Sequence, residues 1–131
     1  MELTPKVYKV SPSEAERLIA EATAKGATVY KIRGDEIVDR ASFFDAVRKT
    51  LPLSPPIVSD YSWDALSDSM WSGFDELETS RILVVWSNSD RLEASPVDYD
   101  LALGVFRQVI ESIASEEFTV GRPKDVTVLL T

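Results

Sequence analysis

Cysteine and histidine are both absent from the 131 residues. Without thiols there is no disulfide, no thiolate nucleophile and no zinc–thiolate site. Without imidazole the commonest general base and the commonest metal ligand are gone, and with them the Ser-His and Cys-His systems. Most familiar enzyme mechanisms are thereby closed, and no cofactor or metal is expected. No apolar run reaches the length that spans a bilayer. The start, Met1-Glu2-Leu3-Thr4-Pro5, lacks the basic and apolar regions of a secretion signal, so the expected compartment is the cytoplasm. Basic residues are scarce: 14 Lys and Arg face 22 Asp and Glu, a net charge of −8. That balance argues against nucleic acid or an anionic membrane as direct ligand, since both demand a basic surface. It suits a cationic protein partner. The length predicts one domain, residues 1–131, with a single core.

The scarcity of base is sharpest between Thr50 and Ser80, where no Lys or Arg occurs and Asp60, Asp64, Asp68, Asp75, Glu76 and Glu78 all fall. Within that span Tyr61-Ser62-Trp63-Asp64-Ala65-Leu66-Ser67-Asp68-Ser69-Met70-Trp71-Ser72-Gly73-Phe74 reads as a helix with two faces. Trp63, Leu66, Met70 and Phe74 form an apolar stripe that should bury. Asp64, Ser67, Asp68, Trp71 and Asp75 are assigned to another face. Asp64 and Asp68, one turn apart, repel by roughly 0.2–0.5 kcal/mol with no cation beside them. Asp64 complements the positive helix start, whereas Asp68 lies beyond the first turn and gains less. The fold does not need this cost, and a basic partner would explain it. Aromatic residues beside charge are typical of interfaces. Trp63 belongs to the core stripe; Trp71 is either a contact residue or an indole folded against the helix edge.

Around this helix the chain alternates strands and helices. Lys6-Val7-Tyr8-Lys9-Val10 reads as a short strand. Ser11-Pro12-Ser13-Glu14 follows as a capping box opening a helix that buries Ala15, Leu18, Ile19 and Ala22 and ends at Gly26. Residues 1–26 thus form a strand–helix extension, either enlarging the fold or adding a second binding surface. Ala27 to Arg33 is the next strand, and a helix from about Arg40 to Thr50, capped by Asp39, should bury Ala41, Phe44, Val47 and Leu51. The prolines of Leu51-Pro52-Leu53-Ser54-Pro55-Pro56 forbid helix; such a stiff loop either holds the front of the central helix or only shapes the chain. Arg81 to Trp86 is a continuous apolar run, as in a strand covered on both faces. An irregular connector from Ser87 to Ser95 leads to a helix with Ser95 as N-cap and Pro96 at its first position. Phe106, Val109, Ile110 and Ile113 line its apolar side, Leu101 and Val105 widen it, and Arg107, Gln108 and Glu111 stay wet. Asp125 to Leu130 is the last strand. Strands separated by helices predict right-handed crossovers and an α/β fold with a three- or four-stranded parallel sheet covered by helices.

The stretch Asp64-Ala65-Leu66-Ser67-Asp68, followed by Met70 and Gly73, resembles the signature helix of the barstar family, small intracellular inhibitors of ribonucleases. The strand before Gly34-Asp35, the Phe-containing helix and the terminal strand resemble the family in order, over about residues 27–131. The resemblance implies a barstar-like fold and an immunity protein, not an enzyme, that binds a secreted or contact-delivered ribonuclease one-to-one. Carboxylates one turn apart would occupy the phosphate sites of its basic cleft, with Asp68 inserted deepest and Asp64 flanking it. Tyr61, Ser67 and Gln108 complete the implied contact set, to which the aromatic beside the acids adds Trp71. Ser67 stands where the best-known member has Trp, and Gln108 where it has an acid that contacts the nuclease. Two rivals remain. An enzyme with Asp64 and Asp68 as an acid–base or Mg²⁺-binding pair normally places them across a cleft, not side by side on an open helix. An acidic interaction module for a basic non-nuclease protein needs the same surface as an inhibitor.

Overall fold

The computed structural model describes residues 4–59 and 62–131. Among these residues four strands and four α-helices follow one another as β1 (Val7–Lys9), α1 (Pro12–Ala24), β2 (Thr28–Arg33), α2 (Arg40–Thr50), α3 (Trp63–Asp75), β3 (Arg81–Ser87), α4 (Pro96–Ile113) and β4 (Asp125–Leu130), with α2 and α3 consecutive. All strand pairs are parallel, in the order β1-β4-β3-β2. The apolar run of β3 therefore lies inside the sheet, where Val84 stands between Tyr30 and Val128. Ile82 to Trp86 are all buried, as a strand covered on both faces requires.

Alternation along the strands divides the core in two. Ile82, Val84 and Trp86, with Val126, Val128 and Leu130, face α2, α3 and α4. Leu83, Val85 and Leu129 face the other way and meet Ala15 and Leu18 of α1. The strand–helix extension thus adds an edge strand and covers the second sheet face. Ser11 caps α1 by accepting the Glu14 N–H at 3.2 Å. The reciprocal half of the expected box is missing, because the Glu14 carboxylate pairs with Arg17 instead. Gly26, at φ +84°, closes the helix as expected: the Gly26 and Ala27 N–H groups donate to Thr23 O and Ala22 O, each at 3.0 Å.

Two helix faces differ from expectation. In α2, Phe43 is buried with Phe44 and Val47, while Ala41 is exposed. The Trp63 ring lies 5.8 Å from Phe43 and 4.9 Å from Phe44, so α2 is covered on two sides and its buried arc rotates past Ala41. In α4, Leu101 is 42% exposed, and Ala102 and Leu103 are buried in its place. The connector before α4 contains a 3₁₀ turn, Ser89–Ala94. Ser95 does not cap α4 with its side chain; its Oγ donates to Val38 O at 3.1 Å, tying the start of α4 to the segment before α2.

Below the helices, Lys124 is 6% exposed. Its Nζ donates to Leu77 O at 2.6 Å and Thr79 O at 2.7 Å, just past the end of α3. Its backbone N–H donates to Ile113 O, at the end of α4, at 2.9 Å. The C-terminal ends of α3 and α4 therefore meet at one residue, and since each helix feeds one of two adjacent parallel strands, the two packed helices run in the same direction.

Candidate functional site

α3 begins at Ser62, whose side chain accepts the Ala65 N–H at 3.0 Å, one of the donors every helix start leaves open. Leu66, Met70 and Phe74 are at most 1% exposed and pack into the larger core cluster. Trp63 is half-buried against Phe43 and Phe44. The stripe Trp63–Leu66–Met70–Phe74 thus seats the helix on the core.

A second set of contacts fixes the helix from the side. The Ser54 N–H donates to Ser69 O at 3.0 Å, Ser69 Oγ donates to Pro55 O at 2.5 Å, and Ser54 Oγ donates to Glu76 Oε1 at 2.8 Å. A Cβ on Gly73 would sit 1.5 Å from Pro52 O, so only glycine lets the loop run this close. The proline loop therefore grips the middle and end of α3, through Ser69, Gly73 and Glu76. A front clamp was one of the two expectations for it. Sequence reading also passed over Ser69, a buried hydroxyl (2% exposed) next to the apolar stripe, which was the available signal.

Asp64 and Asp68 project from the opposite face and are exposed. Among the described residues neither has an ion-pair or hydrogen-bond partner, so the repulsion between them is not offset within the chain. Trp71, three residues after Asp68, is half-buried and packs against the larger core cluster. Asp75 and Glu76 differ. Asp75 lies 3.9 Å from Arg122, Glu76 is held by Ser54, and both belong to the anchored end of the helix.

Ser67 corrects the assignment of faces. It is 4% exposed, because it lies one turn after Trp63 and two turns before Phe74 and shares their side, not that of the aspartates. Gln108 is exposed on α4, the helix packed against α3. Tyr61, like Asp60, lies outside the described residues. The helix therefore carries Asp64 and Asp68 exposed and Trp71 half-buried, with Gln108 exposed on the neighbouring helix and Ser67 beneath.

Among the described residues no group of three or more carboxylates is placed to hold a metal, and no helix is long and apolar enough to cross a membrane. Paired exposed carboxylates on a rigid helix present fixed negative charge at a spacing set by one helical turn. A family model described as Barstar (barnase inhibitor) matches residues 27–122. No curated protein and no solved structure matches the chain.

Proposed function

Because the chain belongs to the barstar family, a family of ribonuclease inhibitors rather than enzymes, we propose that it is the immunity protein of a cationic ribonuclease and blocks the RNA-binding cleft with α3. The observation that carries this reading is the pair Asp64 and Asp68. Both are exposed, have no partner among the described residues and repel each other on a helix held from below by a core stripe and from the side by a proline loop. In this reading Asp68 enters deepest among the cations that bind phosphate and Asp64 flanks it at a wetter rim. Trp71 and Gln108 border the contact, and Tyr61 lies just before it. Ser67 supports the helix from the core side. The partner is a secreted or contact-delivered nuclease met one-to-one in the cytoplasm, across a standard interface of about 1,600 Å² in total. The net charge of −8 steers the encounter with a basic protein.

The test is inhibition of RNA cleavage, with barnase as probe. An equimolar amount of the protein is expected to abolish cleavage, and added salt to slow association more than it speeds dissociation. Asp68→Ala is expected to weaken binding by about 2–5 kcal/mol, the general range for truncating one member of a buried charge pair and not a value obtained for this complex. The same change should leave the melting curve in place or raise it slightly, as the repulsion disappears. Unimpeded cleavage at micromolar excess, or an Asp68→Ala variant that unfolds yet keeps its affinity, would sink the reading.

A further inference from the structure

α4 carries an outward ridge that is left uncovered among the described residues. Ala102, Val105, Phe106, Val109, Ile110 and Ile113 turn into the core, so Val97, Leu101, Gly104 and Gln108, spaced i, i+4, i+7 and i+11, face away from it. Val97 is 71% and Leu101 42% exposed. Val38, 45% exposed, belongs to the segment that Ser95 ties to the start of α4. Gly104 is the telling residue. Glycine is the most helix-destabilising residue after proline, and a Cβ at this position would meet nothing within 4 Å. Among the described residues no packing calls for glycine there, whereas close approach by another molecule would.

We infer that this ridge is the apolar arm of the nuclease-binding surface, seated on a non-polar border of the ribonuclease's basic cleft with partner backbone close against Gly104. The inference rests on the ribonuclease reading above. α3 and α4 pack side by side in the same direction and bury their inner faces in one core cluster, so Asp64–Asp68 and Val97–Gln108 face the same solvent. The ridge is about 16 Å long at 1.5 Å per residue, and packed helices lie about 8–10 Å apart. A partner covering about 800 Å² of this protein from the aspartates outward reaches the ridge as well. Charge selects the occupant. Asp100 and Glu111 flank the ridge and Arg107 lies beside them, and a second copy of a chain with net charge −8 would bring like charge onto like. A cationic partner meets complementary charge on both helices.

The experiment compares Gly104→Trp, Leu101→Asp and Asp68→Ala in barnase binding, with melting curves and sedimentation of each free protein. Gly104→Trp is expected to fold unchanged, since the site is open, and to raise the dissociation constant at least tenfold. Leu101→Asp should weaken binding mainly through faster dissociation, even though it adds an acid that would speed the encounter. Both variants binding within twofold of wild type, while Asp68→Ala is lost, overturns this inference and leaves the ribonuclease reading intact. Wild type failing to bind removes both. A wild-type dimer that Leu101→Asp converts to monomer assigns the ridge to a second copy and also overturns the inference.

Discussion

Beneath α2, α3 and α4 the sheet buries Ile82, Val84 and Trp86 among the rings of Phe43, Phe44, Phe74 and Phe106, whereas beneath α1 it buries Leu83, Val85 and Leu129 against Ala15 and Leu18, with Tyr8, Ile19 and Val29 only partly covered. The first side is dense and aromatic: Phe43 alone lies near Phe44, Trp63, Trp86 and Phe106, at 6.4, 5.8, 5.1 and 6.1 Å. Its three helices all lie within the family match. The second side is a thin apolar cover supplied by residues before the match begins. The acidic helix thus stands on the side where a displaced side chain has least room to be absorbed, and the extension keeps the opposite face of β3 dry without entering the site.

The largest test of this asymmetry is a pair of truncations. Phe43→Ala should cost about 3–5 kcal/mol in urea unfolding, the range for an aromatic removed from a closed core. Leu18→Ala should cost about 2 kcal/mol, the low end for leucine, because the site is 8% exposed and its neighbours can close over the gap. Equal losses would mean that the two faces carry equal weight. Next is Gly73→Ala. Its methyl group would collide with backbone, not with a flexible side-chain end, so a destabilisation of about 1–3 kcal/mol is expected from forced repacking, with the proline loop displaced. Unchanged stability would show that the loop does not brace α3.

The smallest test compares the caps of α2 and α1, one helix from each face. Asp39 accepts the Ser42 N–H at 2.9 Å, and Ser42 Oγ in turn receives the Asp39 N–H at 3.1 Å, so this box is complete, whereas the box of α1 has one half. Asp39→Ala should cost about 1 kcal/mol and Ser11→Ala somewhat less. Their pH dependence separates them further. The Ser42 hydroxyl, and then the Ser42 N–H, hold the Asp39 carboxyl below its ordinary value. Its folded pKa is therefore lower than the unfolded value of about 3.9. The contribution of Asp39 is fully present above that unfolded value and is lost as pH falls through the folded one. The cost of Asp39→Ala, followed by thermal melting, should shrink on acidification below about pH 4, while that of Ser11→Ala should not, because a hydroxyl does not titrate there.

Much of this architecture was legible in the sequence where one local cause dominates. Asp39 before Arg40, Gly26 after α1 and the apolar run of β3 each announce their element by a cap, a left-handed residue or a lack of alternation, and the structure has α2 at Arg40–Thr50. The errors share a different origin. A single apolar stripe on α2 predicts a buried Ala41 and leaves out Phe43, but Trp63 of α3 covers α2 from a second direction. Polarity groups Ser67 with the aspartates, although its spacing from Trp63 and Phe74 puts it on their side. Leucine usually buries, which makes Leu101 part of a widened stripe, and here it faces solvent. Within the candidate site, the exposure of Asp64 and Asp68 followed from spacing. The grip of the proline loop on Ser69 and Gly73 did not, since it joins segments whose approach no periodicity encodes.

Lys124 joins α3 and α4 through a single buried ammonium group and its own backbone. Two helices free to roll against each other would have to surrender that motion on meeting a partner, and the lost conformational entropy would be subtracted from affinity. With both C-terminal ends held by one residue, the ordering is completed during folding. Any partner that spans α3 and α4 then meets a surface that is already set, and the cost of arranging it falls on the stability of the free protein rather than on the complex.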